Sequence, residues 1–164
     1  YGHGVRVTPI QAIMALTTFY TDGCLIEPFV LESTEQLEPL CERGHRVISA
    51  STAKTMQRLM QGVVENKSWH QAKVTGYSVA GKTGTAIRYD KLTGTYAEDK
   101  MDATFVGFIP AEKPRLAILV RLTEPQKNDS LAGSTAAPIF SKLATELMAY
   151  LRVPAEEPNQ ITRK

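Results

Sequence analysis

Cysteine is scarce: the chain has two, Cys24 and Cys41. Two are too few for a disulfide framework. Separate free thiols are the expectation, with pairing left open for an oxidising compartment. Net charge is sparse too, +2 over 164 residues, and gives no argument for nucleic acid or a membrane surface as partner. No apolar run is long enough to span a bilayer, and no signal peptide is visible. The chain starts with Tyr1 instead of Met, so a piece of a longer polypeptide is expected, with any anchor or export signal outside it. His3, His45 and His70 are scattered without ligand spacing, so no metal site is expected. No phosphate loop or dinucleotide fingerprint is present, so no cofactor is expected. What remains is 43% hydrophobic and 22% charged, the balance of a globular domain with a sizeable core.

Thr8-Pro9 reads as a helix start, with Thr as N-cap and Pro at the first helical position. Ile10, Ile13, Met14, Leu16 and Thr17 follow at helical spacing. The helix is expected to run to about Thr21, close at Asp22-Gly23 and lay its apolar stripe on a sheet. Residues 25–31 and 46–48 read as the arms of a β-excursion around a glutamate-rich loop, with Pro28 marking an edge or a break. A second helix near 51–67, capped by Ser49 or Ser51, carries Met56, Leu59, Met60, Val63 and Val64 as its buried stripe. Trp69 and His70 lie in a polar connection, Trp69 covering a core edge. Strands are expected at 79–89, 103–109 and 115–123, with 90–102 as a polar loop tipped by Gly94. The run 103–109 is apolar on both faces and should be central. Short links make the three an antiparallel meander. A last helix opens at 136–138 and places Ile139, Phe140, Leu143, Leu147, Tyr150 and Leu151 on one side. From Arg152 on, two prolines and five charges predict a frayed tail over 152–164. The sum is an α+β layer, an antiparallel sheet packed against helices, over residues 1–151.

The chemistry concentrates in residues 80–86, Ala-Gly-Lys-Thr-Gly-Thr-Ala. Side chains alternate between the faces of a strand. Thr83 and Thr85 therefore share one face, and Lys82 and Gly84 the other. Two hydroxyls so spaced can both donate to one carboxylate, with Lys82 adding positive field from behind. Gly84 lets a ligand or another backbone come close. An anionic acyl substrate lying along a sheet edge fits this pattern.

Several stretches, in order, resemble the C-terminal part of the transpeptidase domain of class B (monofunctional) penicillin-binding proteins, a serine β-lactamase-like fold. Residues 4–11 are similar to the family's "G…VTPLQ" helix start, and Asp22-Gly23 with Pro28 to its "NGG…P" segment. Residues 47–49 resemble the start of its next helix. Residues 80–86 match "AGKTGTA" residue for residue, and 105–111 match "FVGFAPA" closely. Residues 114–117 and 136–140 match two further landmarks. The resemblance covers most of 1–151. It implies a peptidoglycan D,D-transpeptidase, whose serine attacks the penultimate D-Ala of a stem peptide, releases D-Ala and passes the acyl group to an amine of a neighbouring strand. β-Lactams acylate the same serine. By the same resemblance Lys82 supports a proton relay, Thr83 and Thr85 hold the substrate or β-lactam carboxylate beside Gly84, and the Thr85 N–H supplies half of the oxyanion hole. It further implies an extracytoplasmic location, in the periplasm or at the outer face of the plasma membrane, and a role in cell shape or cell division. The missing N-terminal part of the same domain becomes the structural partner.

The departure is upstream. Ser51-Thr52-Ala53-Lys54 reads as Ser-x-x-Lys, but it lies only about 30 residues before Lys82 with no Ser-x-Asn between them. Its place matches a helix start, where a serine caps. The nucleophile, its lysine and the Ser-x-Asn motif are therefore expected outside this chain. Two other readings share the Lys-Thr-Gly strand: a β-lactamase or β-lactam sensor fragment, and a non-catalytic partner-binding module of the same fold. A partial domain is also expected to expose apolar sheet surface and to dimerise or swap strands over it. Since acyl transfer needs a nucleophile in contact with its base, the 164-residue chain incubated with fluorescent penicillin should show no covalent adduct by intact mass. A stoichiometric adduct on Ser51 would make 51–54 the nucleophile motif.

Overall fold

The computed structural model describes residues 5–28, 41, 45–66, 71–125 and 131–156, apart from the side chains of 98 and 99. They fall into two compact units, Val7–Leu59 and Met60–Lys164 together with Tyr1–Arg6. The larger unit is built on three antiparallel strands, β1 (Ala80–Asp90), β2 (Thr95–Ile109) and β3 (Leu116–Thr123), in the order β1-β2-β3. The expected meander is present, and its most apolar strand is central. Phe105, Phe108 and Ile109 are all at most 1% exposed, as a strand covered on both faces requires.

The register is set around two glycines. Gly81 of β1 stands opposite Gly107 of β2. The Phe105 ring occupies the space where a Gly81 side chain would begin. A Cβ on Gly107 would come within 2.6 Å of the Phe140 ring and 2.9 Å of Phe105. The two rings pack at 4.8 Å between centroids, tilted by 57°. Phe140 belongs to α3 (Ala136–Tyr150). That helix turns Ala136, Ala137, Phe140, Ala144 and Met148 inward, and the core also takes in Val64, Val74, Val79, Ala103, Ile109 and Val120. Small residues on α3 let its backbone approach the sheet while Phe140 fills the gap over Gly107.

This reverses the stripe expected from the sequence. Of its six members only Phe140 is buried; Ile139, Leu143, Leu147, Tyr150 and Leu151 are 37–82% exposed. Bulk does not decide the inward face here, because the glycine pair and its phenyl rings have already set how close the helix must come.

The polar loop expected at 90–102 is also corrected. Only residues 91–94 form a turn, closed by Gly94 N–H donating to the Asp90 carbonyl at 2.9 Å, with Gly94 at φ +69°. From Thr95 onward the chain is strand, paired to the far half of β1 across a register shift between Ile87 and Arg88. A ribbon wet on both faces has no apolar alternation to announce it. Cross-strand contacts hold it: Tyr89 meets Tyr96 edge-on at 5.6 Å, and Lys100 lies 3.8 Å from Asp90. At its base Asp102 takes Arg121 at 2.6 Å and Arg88 at 4.0 Å, and Arg88 also pairs with Glu124.

The tail expected to fray from Arg152 is tied down as far as Glu156. Tyr77 Oη donates to the Val153 carbonyl at 2.6 Å, and Glu156 N–H donates to the Gly76 carbonyl at 2.9 Å. Residues 157–164 lie outside the described residues.

In the smaller unit, α1 (Pro9–Thr17) begins as expected. Thr8 Oγ1 accepts from Gln11 N–H at 3.2 Å while Gln11 Oε1 accepts from Thr8 N–H at 2.8 Å, a reciprocal cap. A 3-10 turn, Thr18–Tyr20, follows and ends at Asp22 and Gly23, both at positive φ. No residue of α1 is buried, which corrects its expected packed stripe. α2 (Ala50–Glu65), which crosses from this unit into the larger one, buries Ala53, Met60 and Val64, while Leu59 is 59% exposed. The β-excursion reduces, among the described residues, to an isolated bridge between Cys24 and Arg46; His3, Trp69, His70 and most of the glutamate-rich loop lie outside them. Cys24 and Cys41 form a disulfide with Cα atoms 5.4 Å apart. That overturns the expectation of free thiols: the chain returns alongside residues 23–25, with Leu25 N–H donating to the His45 carbonyl and Val47 N–H to the Gly23 carbonyl, and two cysteines 17 positions apart lie within bonding range.

The glycine pair yields a prediction. Gly107→Ala should cost about 1–3 kcal/mol by overpacking, read as a lower urea midpoint with unchanged slope. A stability equal to the parent's would mean that Phe140 does not seat on Gly107.

Candidate functional site on the β1 edge

Lys82, Thr83, Gly84 and Thr85 lie consecutively on β1, opposite Val106, Phe105, Thr104 and Ala103 of β2. Because β1 is an outer strand, one side of its backbone has no ladder partner among the described residues along this stretch. The alternation expected from the sequence is observed. Lys82 and Gly84 are exposed and Thr83 and Thr85 half-buried, the threonines on the core face with Phe105 and Ala103.

The hydroxyls are already engaged as acceptors. Thr85 Oγ1 accepts from the Ala132 N–H at 3.5 Å. Thr83 Oγ1 lies 3.4 Å from Lys82 Nζ, which donates at 2.8 Å to the Thr83 carbonyl. A hydroxyl has one proton to give and two lone pairs to fill. With a donor at each oxygen, both threonine protons remain to be given away, and two O–H donors two residues apart suit the two oxygens of one carboxylate. Lys82 was expected to act from behind the strand. It instead curls along its own backbone to Thr83, so its charge sits beside the hydroxyls.

The glycines of the motif separate cleanly. Gly81 is closed by Phe105, whereas a Cβ on Gly84 would touch only Thr104, at 3.8 Å from its Cβ and 4.0 Å from its carbonyl oxygen. Nothing in the fold requires glycine at 84. The space above it is open to a ligand.

What supports this strand has no signature in the sequence. Ala132, 1% exposed, opens the turn into α3 and carries the N–H that meets Thr85. Ser78, 4% exposed, sits at the foot of β1 and donates its hydroxyl to Glu156 Oε1 at 3.0 Å. Neither has a motif signature, and Glu156 lies in a stretch that composition marks as frayed.

Ser51 and Lys54 are exposed residues of α2. The N-cap is Ser49, whose Oγ accepts from Thr52 N–H at 3.1 Å. Ser51 Oγ is 2.9 Å and Thr52 Oγ1 2.8 Å from that same oxygen. The Ser51 hydroxyl thus belongs to a cluster that closes the start of a helix. Among the described residues no group of three His, Cys, Asp or Glu side chains is placed to hold a metal ion.

Comparison with known proteins identifies the family. Residues 1–145 match the penicillin binding protein transpeptidase domain. The chain is 34% identical to the penicillin-binding protein PbpB of Mycolicibacterium smegmatis over 93% of its length and 26% of that protein's. It is 34% identical to a probable peptidoglycan D,D-transpeptidase PenA of Neisseria flavescens, over 96% of its length and 38% of that protein's. It therefore spans about a quarter to two-fifths of these relatives. The transpeptidase domain of Burkholderia pseudomallei penicillin-binding protein 3 superposes with a TM-score of 0.82 at 31% identity, covering 96% of this chain and 46% of that one. Penicillin-binding protein 3 of Mycobacterium tuberculosis, solved with ampicillin, gives 0.79 at 31% identity, covering 96% and 38%.

The open space at Gly84 gives the second structural test. Gly84→Ala should leave the urea midpoint unchanged or raise stability by about 0.5–1 kcal/mol, while weakening the chemical-shift response of the Thr83 and Thr85 amides to added penicillin. An unchanged response would mean that no ligand approaches the backbone there.

Proposed function

Since this chain belongs to the penicillin-binding protein transpeptidase family, we propose that it is the C-terminal part of a peptidoglycan D,D-transpeptidase domain and forms the carboxylate-binding wall of the active site. The observation that carries this reading is the pair of threonine hydroxyls, each engaged as an acceptor and each left with a proton to donate. The substrate is a stem peptide ending in D-Ala-D-Ala. Its terminal carboxylate accepts from Thr83 and Thr85, with the Lys82 ammonium beside them. Anchored so, the penultimate carbonyl is held near the β1 edge, where the Thr85 N–H meets the oxyanion that develops as a serine oxygen adds. The carbonyl–nitrogen bond then breaks, D-Ala leaves with a proton on its nitrogen, and an amine from a second stem peptide displaces the serine to form the cross-link. A β-lactam presents the same carboxylate and a strained amide, and stops at the acyl-enzyme.

The serine, its lysine and the Ser-x-Asn relay are contributed by the preceding part of the domain. Two observations support that division: the solved transpeptidase domain extends well beyond the part this chain covers, and α3 presents Ile139, Leu143 and Leu147 outward, a stripe suited to packing against that missing part. The disulfide supports an extracytoplasmic location, since such bonds persist in oxidising compartments.

The test uses the full-length polypeptide. Fluorescent penicillin should label a serine outside this chain, and replacing Thr83 and Thr85 together by Val should lower the second-order labelling constant by about 100-fold, as loss of two charge-assisted hydrogen bonds implies. Undiminished labelling would remove the threonines from the site. Rapid penicillin turnover would make the parent a β-lactamase.

A further inference from the structure

We propose that Glu156 is a positioning residue for the Lys82–Thr85 stretch, and that residues 153–156 form a strap whose purpose is to fix the foot of β1. The ladder between β1 and β2 runs back to Ala80 opposite Phe108. Two residues further the register brings Ser78 level with Pro110, which has no N–H to donate. The ladder would end there with Ser78 unheld. Instead, Ala111 N–H turns back to the Ser78 carbonyl at 3.0 Å and to Ser78 Oγ at 3.0 Å. On the other side the Glu156 carboxylate takes both donors of Ser78: Oε2 accepts from its N–H and Oε1 from its hydroxyl at 3.0 Å. Ser78 is 4% exposed, so each of these bonds replaces water that is not there.

The strap is itself held at more than one point. Glu156 N–H donates to Gly76 and Tyr77 Oη to Val153, while Val153 packs on the core. Glu156 therefore belongs to a seated segment, which fixes where its carboxylate lies. Four residues of extended chain, about 13 Å, separate Ser78 from Lys82. Over that distance β1 has β2 on one flank only. Freedom at Ser78 becomes freedom along the edge on which the threonine hydroxyls and the Thr85 N–H must stay in place. Small displacements of a binding group cost capture steeply.

This inference rests on the reading of residues 82–85 as the carboxylate wall, and the experiment separates the two. In the 164-residue chain, Glu156→Ala should speed amide hydrogen exchange at Lys82 and Gly84, whose N–H groups face β2, by about tenfold, with β2–β3 ladder amides staying within about twofold. Glu156→Gln keeps an oxygen for the Ser78 N–H and should stay within about threefold of the parent. Ser78→Ala, which removes one of the two bonds to Glu156 together with the one that its Oγ accepts from Ala111, should fall between them. Exchange that rises equally on both ladders, that does not change, or that is as fast in Glu156→Gln as in Glu156→Ala would overturn the proposal. In the full-length polypeptide, Glu156→Ala should lower the second-order constant for penicillin acylation by about tenfold, through weaker initial binding at a limiting acylation rate within about twofold of the parent's. Unaltered acylation beside faster exchange would also overturn it. A parent polypeptide that penicillin fails to label would sink the carboxylate reading, and the exchange result would still decide whether Glu156 sets the strand.

Discussion

Two glycines facing each other across β1 and β2 control the larger unit. Gly81 and Gly107 leave a trough in the sheet, Phe105 lies across it, and Phe140 closes it from α3. Everything the site needs hangs from that contact. It sets how near α3 comes, so that the turn at 131–135 delivers the Ala132 N–H to Thr85. It also makes the middle strand dry on the helix side, so that β1 can be an outer strand without being a loose one. Protein interiors are packed at crystal density, and a trough of this depth admits one arrangement of rings.

Much of this was legible in the sequence, and the reasons are particular. The run 103–109 is apolar at every position except Thr104 and Gly107, which only a central strand explains. Thr8-Pro9 with Gln11 writes out a reciprocal helix cap. Lys-Thr-Gly-Thr on a strand divides its side chains between two faces whatever the fold. The α3 stripe misled because hydrophobicity ranks Leu143 and Leu147 above Ala137 and Ala144, whereas the inward face alternates alanines with Phe140 and Met148. Residues 95–102 misled because a ribbon in water has no alternation to display. The disulfide could not be foreseen from a spacing of 17, since its geometry depends on the return of residues 45–48 alongside 23–25, which no sequence period announces.

The motif's two glycines answer to different authorities. Gly81 is demanded by Phe105, which is a matter of folding. Gly84 has ordinary clearance from its neighbours, so no packing contact among the described residues demands its smallness. Sequence alone treats them as equal members of one heptapeptide. Only the distances to their neighbours divide the glycine that the fold requires from the one it leaves open.

The strap at 153–156 also gives the chain an order of events. Ser78 and Glu156 are separated by 78 residues, so at a ribosome moving about 5–20 residues per second the foot of β1 waits roughly 4–16 s for the residue that secures it. The strands and most of α3 are made in that interval. The candidate edge is thus among the last features to become fixed, and any nascent or proteolysed form that stops short of Glu156 carries the whole motif without the strap.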